Sequence, residues 1–107
     1  MTARIVIVGA GPGGLAAAML LARLDADVTL VERQEQVGGR SATIHADGFS
    51  FDTGPTFFLF PEALEEIFAL CGFDLHREVE LIRLDPIHRL QFEDGPRIDA
   101  STDIVAM

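Results

Sequence analysis

Three glycines, a carboxylate and a guanidinium carry the chemistry legible in this chain. Gly9, Gly11 and Gly14 form G-x-G-x-x-G, Glu32 follows about 20 residues on, and Arg40 stands behind a second glycine pair, Gly38-Gly39. Gly9 suits a tight turn. Gly11 puts no side chain between the backbone and a pyrophosphate, and Gly14 lets a helix close on a strand. Free N–H groups and the positive dipole end at the helix start complete a cradle for an anion. Glu32 would accept hydrogen bonds from an adenosine ribose and repel a 2′-phosphate, which disfavours NADP. The planar fork of Arg40 suits bidentate phosphate contact. Arg33 would stack on or lie beside the adenine or ribose, with a plain surface charge as the alternative.

The elements that must position these groups are readable from patterning. Residues 4–8 are a β-branched apolar run without alternation, which reads as a strand buried on both faces of a parallel sheet. Residues 15–24 read as a helix and 27–31 as a second strand ending at Glu32, so the glycine loop and the carboxylate belong to one βαβ unit. Asp25 replaces the usual helix-ending glycine; Asp visits left-handed conformations more readily than most residues. Residues 41–45 and 49–51 flank Asp47-Gly48, a hairpin signal. Gly54, in Asp52-Thr-Gly-Pro-Thr56, again permits close backbone approach. Pro61 opens a helix that Gly72 stops. Residues 79–84, 88–92 and 97–100 read as three short strands of an antiparallel meander, and Ser101 or Thr102 as the cap of a helix that barely begins.

Composition narrows the partners. The chain has 107 residues, the size of one small domain, and a net charge of −9 with arginine as its only strongly basic residue. No basic stripe exists to neutralise nucleic-acid phosphates, so no nucleic-acid partner is expected. The lone Cys71 excludes an internal disulfide, fits a reducing compartment and reads as a small buried thiol. The apolar run 15–22 is far short of the ~20 residues that span a bilayer, and no secretory signal is visible. His45, His76 and His88 have no partner at ligand or catalytic spacing. No metal cluster, nucleophile motif or triad is visible, and no catalytic side chain is assigned. The pattern leaves the doubly wound form after one βαβ unit, which reads as the N-terminal piece of a longer protein or a truncated gene product.

Four segments in this order, Val6-Ile-Val-Gly-Ala-Gly-Pro-Gly-Gly-Leu15, Val28-Thr-Leu-Val-Glu-Arg33, Val37-Gly-Gly-Arg40 and Phe51-Asp-Thr-Gly-Pro-Thr56, resemble the N-terminus of FAD-dependent carotenoid (phytoene) desaturases, within the flavin amine-oxidase superfamily. The resemblance implies an α/β fold: a βαβ start of a Rossmann-like FAD-binding domain over residues 1–78, then short antiparallel strands of a substrate layer over 79–107. It implies FAD as the cofactor. Gly9, Ala10, Gly11, Gly13 and Gly14 would hold the pyrophosphate and Glu32 the ribose. Gly39 and Arg40 would contact the phosphate side, and Gly54-Pro55 would run close to the flavin. The implied reaction is desaturation of an apolar polyene or isoprenoid chain by hydride transfer to flavin. Sibling readings are a carotenoid oxygenase, an isomerase, an amine oxidase, or an inert FAD-binding module; a NAD module is weaker. Residues 57–60 (Phe-Phe-Leu-Phe) could border a polyene tunnel, with ordinary core as the favoured reading. A cytoplasmic protein, peripheral at the inner face of the membrane in its full-length form, is expected by analogy.

Overall fold

A computed structural model describes residues 2–55 and 57–101. The cap expected at Thr102 and the side of the turn at Thr56 lie outside these residues. Strand β1 (Arg4–Val8) leads into helix α1 (Pro12–Arg23) and returns to strand β2 (Asp27–Val31). β1 and β2 pair in parallel, Arg4 opposite Asp27 through Val8 opposite Val31. The helix starts three residues earlier than its apolar pattern suggests, because Pro12 stands at its first position with a preset φ and no N–H to lose. Asp25 takes the left-handed conformation at φ 59°, as the turn into β2 requires.

The expectation that β1 is buried on both faces is corrected. Ile5, Ile7, Val28 and Leu30 are half-buried on the face that α1 covers. Val6 and Val8 point the other way and remain 66% and 85% exposed. One crossover helix covers one face of a sheet; the unalternated β-branched pattern suits a second covering layer that the described residues do not form.

A 3₁₀ turn (Gly39–Ser41) leads to strands β3 (Thr43–Ala46) and β4 (Phe49–Asp52). They form the expected antiparallel hairpin, with Asp47 and Gly48 at φ 51° and 81°, the signs of a type I′ turn. The period of two places Ile44, Ala46, Phe49 and Phe51 on one face and Thr43, His45, Ser50 and Asp52 on the other. The polar face is internally bonded, Thr43 to Asp52 and His45 to Ser50.

Helix α2 (Pro61–Leu70) ends in a Schellman motif: Gly72 N–H donates to Ala69 and Phe73 N–H to Phe68, with Gly72 at φ 86°. A four-residue helix α3 (Leu75–Glu78) follows, absent from the sequence reading. Asp74 caps it by accepting from His76 N–H, and the His76 ring bonds Glu65 on α2. This corner holds the packed core. Cys71 is buried beside Met19 and Ala22 of α1, as expected of a small thiol, and Leu75 is 2% exposed. Leu75→Ala should therefore cost about 2–5 kcal/mol, read as a fall in the urea midpoint.

The three-stranded meander is also corrected. Strands β5 (His88–Gln91) and β6 (Arg97–Ala100) pair as a hairpin, with Arg89 bidentate to the opposite Asp99 at 2.6 and 3.0 Å. Residues 79–84 join no ladder. Val79 is extended, yet its N–H closes α3 on Leu75. β-branched composition favours extended backbone; a strand also needs a partner. Residues 57–60 are not core either: Phe57, Phe58, Leu59 and Phe60 all stand more than half exposed. The three two-stranded sheets remain apart, and the radius of gyration is 18.7 Å against about 13 Å for a compact chain of this length.

Candidate functional site: a glycine-built dinucleotide cleft

Gly9 leaves β1 at φ 102°, and its N–H donates to Val31 at 2.7 Å, so the turn begins while the strands are still paired. Gly14 then passes directly under that turn. A Cβ on Gly14 would overlap the Gly9 carbonyl oxygen and touch Ile7, which is the close helix–strand packing its position demands. Gly11 caps α1 with no side-chain bond. The N–H groups of Gly13 and Gly14 in the first turn therefore have no capping side chain. Pro12 has none to offer, so the helix start is a donor-rich end free for an anion.

The second glycine pair meets the first backbone to backbone. Gly38 N–H donates to Ala10 at 2.7 Å, and a Cβ on Gly39 would come within 3.1 Å of the Gly11 Cα. The third segment locks onto the second. Thr53 donates to the Ala42 carbonyl through both its N–H and its hydroxyl, and a Cβ on Gly54 would overlap the Arg40 carbonyl oxygen. Three stretches far apart in sequence thus converge. Gly11, Pro12, Gly39, Arg40, Ser41, Thr53, Gly54 and Pro55 line one cleft of about 920 Å³. Among the described residues the Arg40 side chain has no hydrogen-bond or ion-pair partner.

Five of the residues singled out by sequence therefore line one cleft: Gly11, Gly39, Arg40, Gly54 and Pro55. Arg33 and Gly39 line an adjoining cleft of about 660 Å³ with Gln34 and Ile44. Gly9, Gly13 and Gly14 build the wall and the helix start. Ala10 is fully enclosed, its N–H donating to Glu32 and its carbonyl accepting from Gly38 N–H. Gly38, Ser41 and Thr53 were not singled out as binding residues. The glycine pair was a signal for Gly38, whereas nothing local marks Thr53, whose partner lies eleven residues away.

Glu32 stands at the end of β2 with one carboxylate oxygen accepting Ala10 N–H at 2.7 Å and the other Gln34 N–H at 2.8 Å. Each oxygen keeps a further lone pair for a hydroxyl donor. The Gln34 N–H, then the Ala10 N–H, then the backbone and charge of Arg33 hold this carboxyl below its ordinary range. A depressed folded pKa adds stability that is complete above the unfolded value and is lost as pH falls through the folded one. Thermal unfolding followed by circular dichroism should show the parent chain more stable than Glu32→Gln at neutral pH. That margin should vanish as the pH drops through the lowered value.

Residues 7–72 match the NAD(P)-binding Rossmann-like domain family, and the chain belongs to it. The curated enzymes it is similar to include three from different microorganisms. The carotenoid 3,4-desaturase of Haloarcula japonica is 46% identical over 99 residues, 92% of this chain and 20% of the enzyme. The phytoene dehydrogenase of Streptomyces griseus is 45% identical over 103 residues, 96% of this chain and 20% of the enzyme. The zeta-carotene-forming phytoene desaturase of Myxococcus xanthus is 42% identical over 104 residues, 97% of this chain and 20% of the enzyme. The chain spans about a fifth of the length of these relatives.

Proposed function

We propose that this chain is the dinucleotide-binding start of an FAD-dependent desaturase acting on an apolar polyene or isoprenoid chain. The observation that carries the reading is the convergence of Gly9–Gly14, Gly38–Arg40 and Thr53–Pro55 on one cleft, in a chain whose relatives are named as carotenoid and phytoene desaturases. The donor set fits a dinucleotide. The uncapped N–H groups of Gly13 and Gly14 and the Arg40 guanidinium would hold the pyrophosphate, with Gly11 giving it room. Glu32 would take the ribose, with Arg33 beside it, and Gly54-Pro55 would face the isoalloxazine side. Bound FAD would supply a hydride acceptor for an unactivated carbon chain; the residues named here bind and orient it.

The exposed run Phe57, Phe58, Leu59, Phe60 follows Pro55 closely and supports an apolar substrate. Such a substrate dissolves in lipid, so the reading includes a cytoplasmic protein working at the inner face of the membrane. Among the described residues no helix is long and apolar enough to cross one.

The test is a titration of the chain with FAD and, separately, with NAD, read by flavin fluorescence quenching, calorimetry and thermal shift. Saturable FAD binding in preference to NAD supports the flavoprotein reading. Preferential NAD binding, the outcome the family's description favours, overturns it.

A further inference from the structure

The contacts of Glu32 are more than a ribose site requires. Its carboxylate already bridges two loops of the chain, the glycine loop at Ala10 and the β2 exit at Gln34. Ala10 is the only fully enclosed residue of the glycine motif, 0% exposed, and the two peptides that flank it are both held, its N–H by Glu32 and its C=O by Gly38. Gly9 on one side is tied to Val31, and Gly11 on the other begins α1. The orientation of the peptides flanking Ala10 therefore sets the direction in which the chain enters the helix whose N–H groups face the cleft.

An N–H that loses a charged acceptor loses one of the stronger hydrogen bonds a backbone group makes, and the bond from Ala10 to Glu32 is partly buried. Removing the Glu32 carboxylate takes that acceptor from the Ala10 N–H. The loop is then free to turn, taking Gly11 with it.

We infer that Glu32 is a positioning residue for the anion cradle as well as a ribose acceptor. Through Ala10 it sets the shape of the glycine loop before any dinucleotide arrives, and so supports binding of a pyrophosphate that carries no ribose. The inference rests on the dinucleotide reading of the site and adds a second role to one of its residues.

The experiment separates the two roles. Inorganic pyrophosphate and FAD are titrated into the chain and its Glu32→Ala and Glu32→Gln variants by calorimetry, and amide exchange is followed residue by residue by NMR. The inference expects Glu32→Ala to speed exchange at Ala10 and Gly38 about tenfold and to weaken pyrophosphate binding by about the same factor. The amides of the β1–β2 ladder should keep their protection. Glu32→Gln retains one carbonyl oxygen as acceptor and should recover part of both effects.

Unchanged exchange at Ala10 in Glu32→Ala overturns the inference whatever the ligands do. So does pyrophosphate binding that survives while FAD binding falls, which would confine Glu32 to the ribose. Faster exchange throughout the ladder also overturns it, since that marks general loosening. A parent chain that binds neither ligand overturns the dinucleotide reading itself.

Discussion

Gly14→Val is expected to abolish saturable FAD binding by this chain. The added Cβ would sit on the Gly9 carbonyl oxygen and within 3.1 Å of its carbonyl carbon. Both are backbone atoms, so no rotamer change relieves the overlap. Either α1 lifts off the β1–β2 sheet, or the turn at Gly9 opens and breaks its bond to Val31. Both outcomes move the first-turn N–H groups away from the cleft. Overpacking of a rigid site costs about 1–3 kcal/mol and more when backbone must shift. With backbone atoms forced apart the cost reaches about 3 kcal/mol or more, a loss of affinity on the order of 100-fold or more. Flavin fluorescence titration measures it. Far-UV circular dichroism should still show α2, whose cap motif does not depend on the glycine loop.

Gly54→Ala should produce the second largest effect, with a different signature. Here the Cβ would overlap the Arg40 carbonyl oxygen and approach the Ser41 Cα at 3.0 Å. The 53–55 segment must then withdraw from the 3₁₀ turn and strain the two bonds from Thr53 to Ala42. The glycine loop and its helix are untouched. FAD binding should weaken by roughly 10- to 100-fold, the affinity equivalent of about 1.4–2.7 kcal/mol. Inorganic pyrophosphate, which needs only the helix start and Arg40, should lose less than tenfold. Equal loss for both ligands would mean that Gly54 shapes the whole cleft and not its far end alone.

Both predictions depend on where backbones cross, and this marks the boundary between what was legible in the sequence and what was not. Local chemistry was legible. β-branched runs gave β1 and β2, the Asp47-Gly48 pair gave the hairpin, and Pro61 and Gly72 bounded α2, because each signal acts on neighbours a few residues away. The spacing from Gly9 to Glu32 is also local in effect, since one βαβ unit brings the end of β2 beside the end of β1.

Partnership over longer distance was not legible. Residues 79–84 have the composition of a strand and no ladder, because a ladder needs a partner strand as well as propensity. Residues 57–60 have the composition of core and remain exposed, because burial depends on a covering layer. The same holds for Val6 and Val8, whose pattern suits two covered faces while α1 covers one.

By itself, the sequence determined the residue types that can hold a dinucleotide: small residues where an anion needs room, a carboxylate after β2, and a single arginine behind a glycine pair. The tertiary structure alone decided that Gly11, Gly39, Arg40 and Gly54 share one cleft, with Glu32 tied to its glycine loop through Ala10. Gly39 lies against Gly11, Gly54 against Arg40, and Ala10 between Glu32 and Gly38. The physical reason is that a backbone hydrogen bond or a close glycine contact has no side-chain signature. It exists only once the chain has folded the two backbones to within a few ångströms of each other.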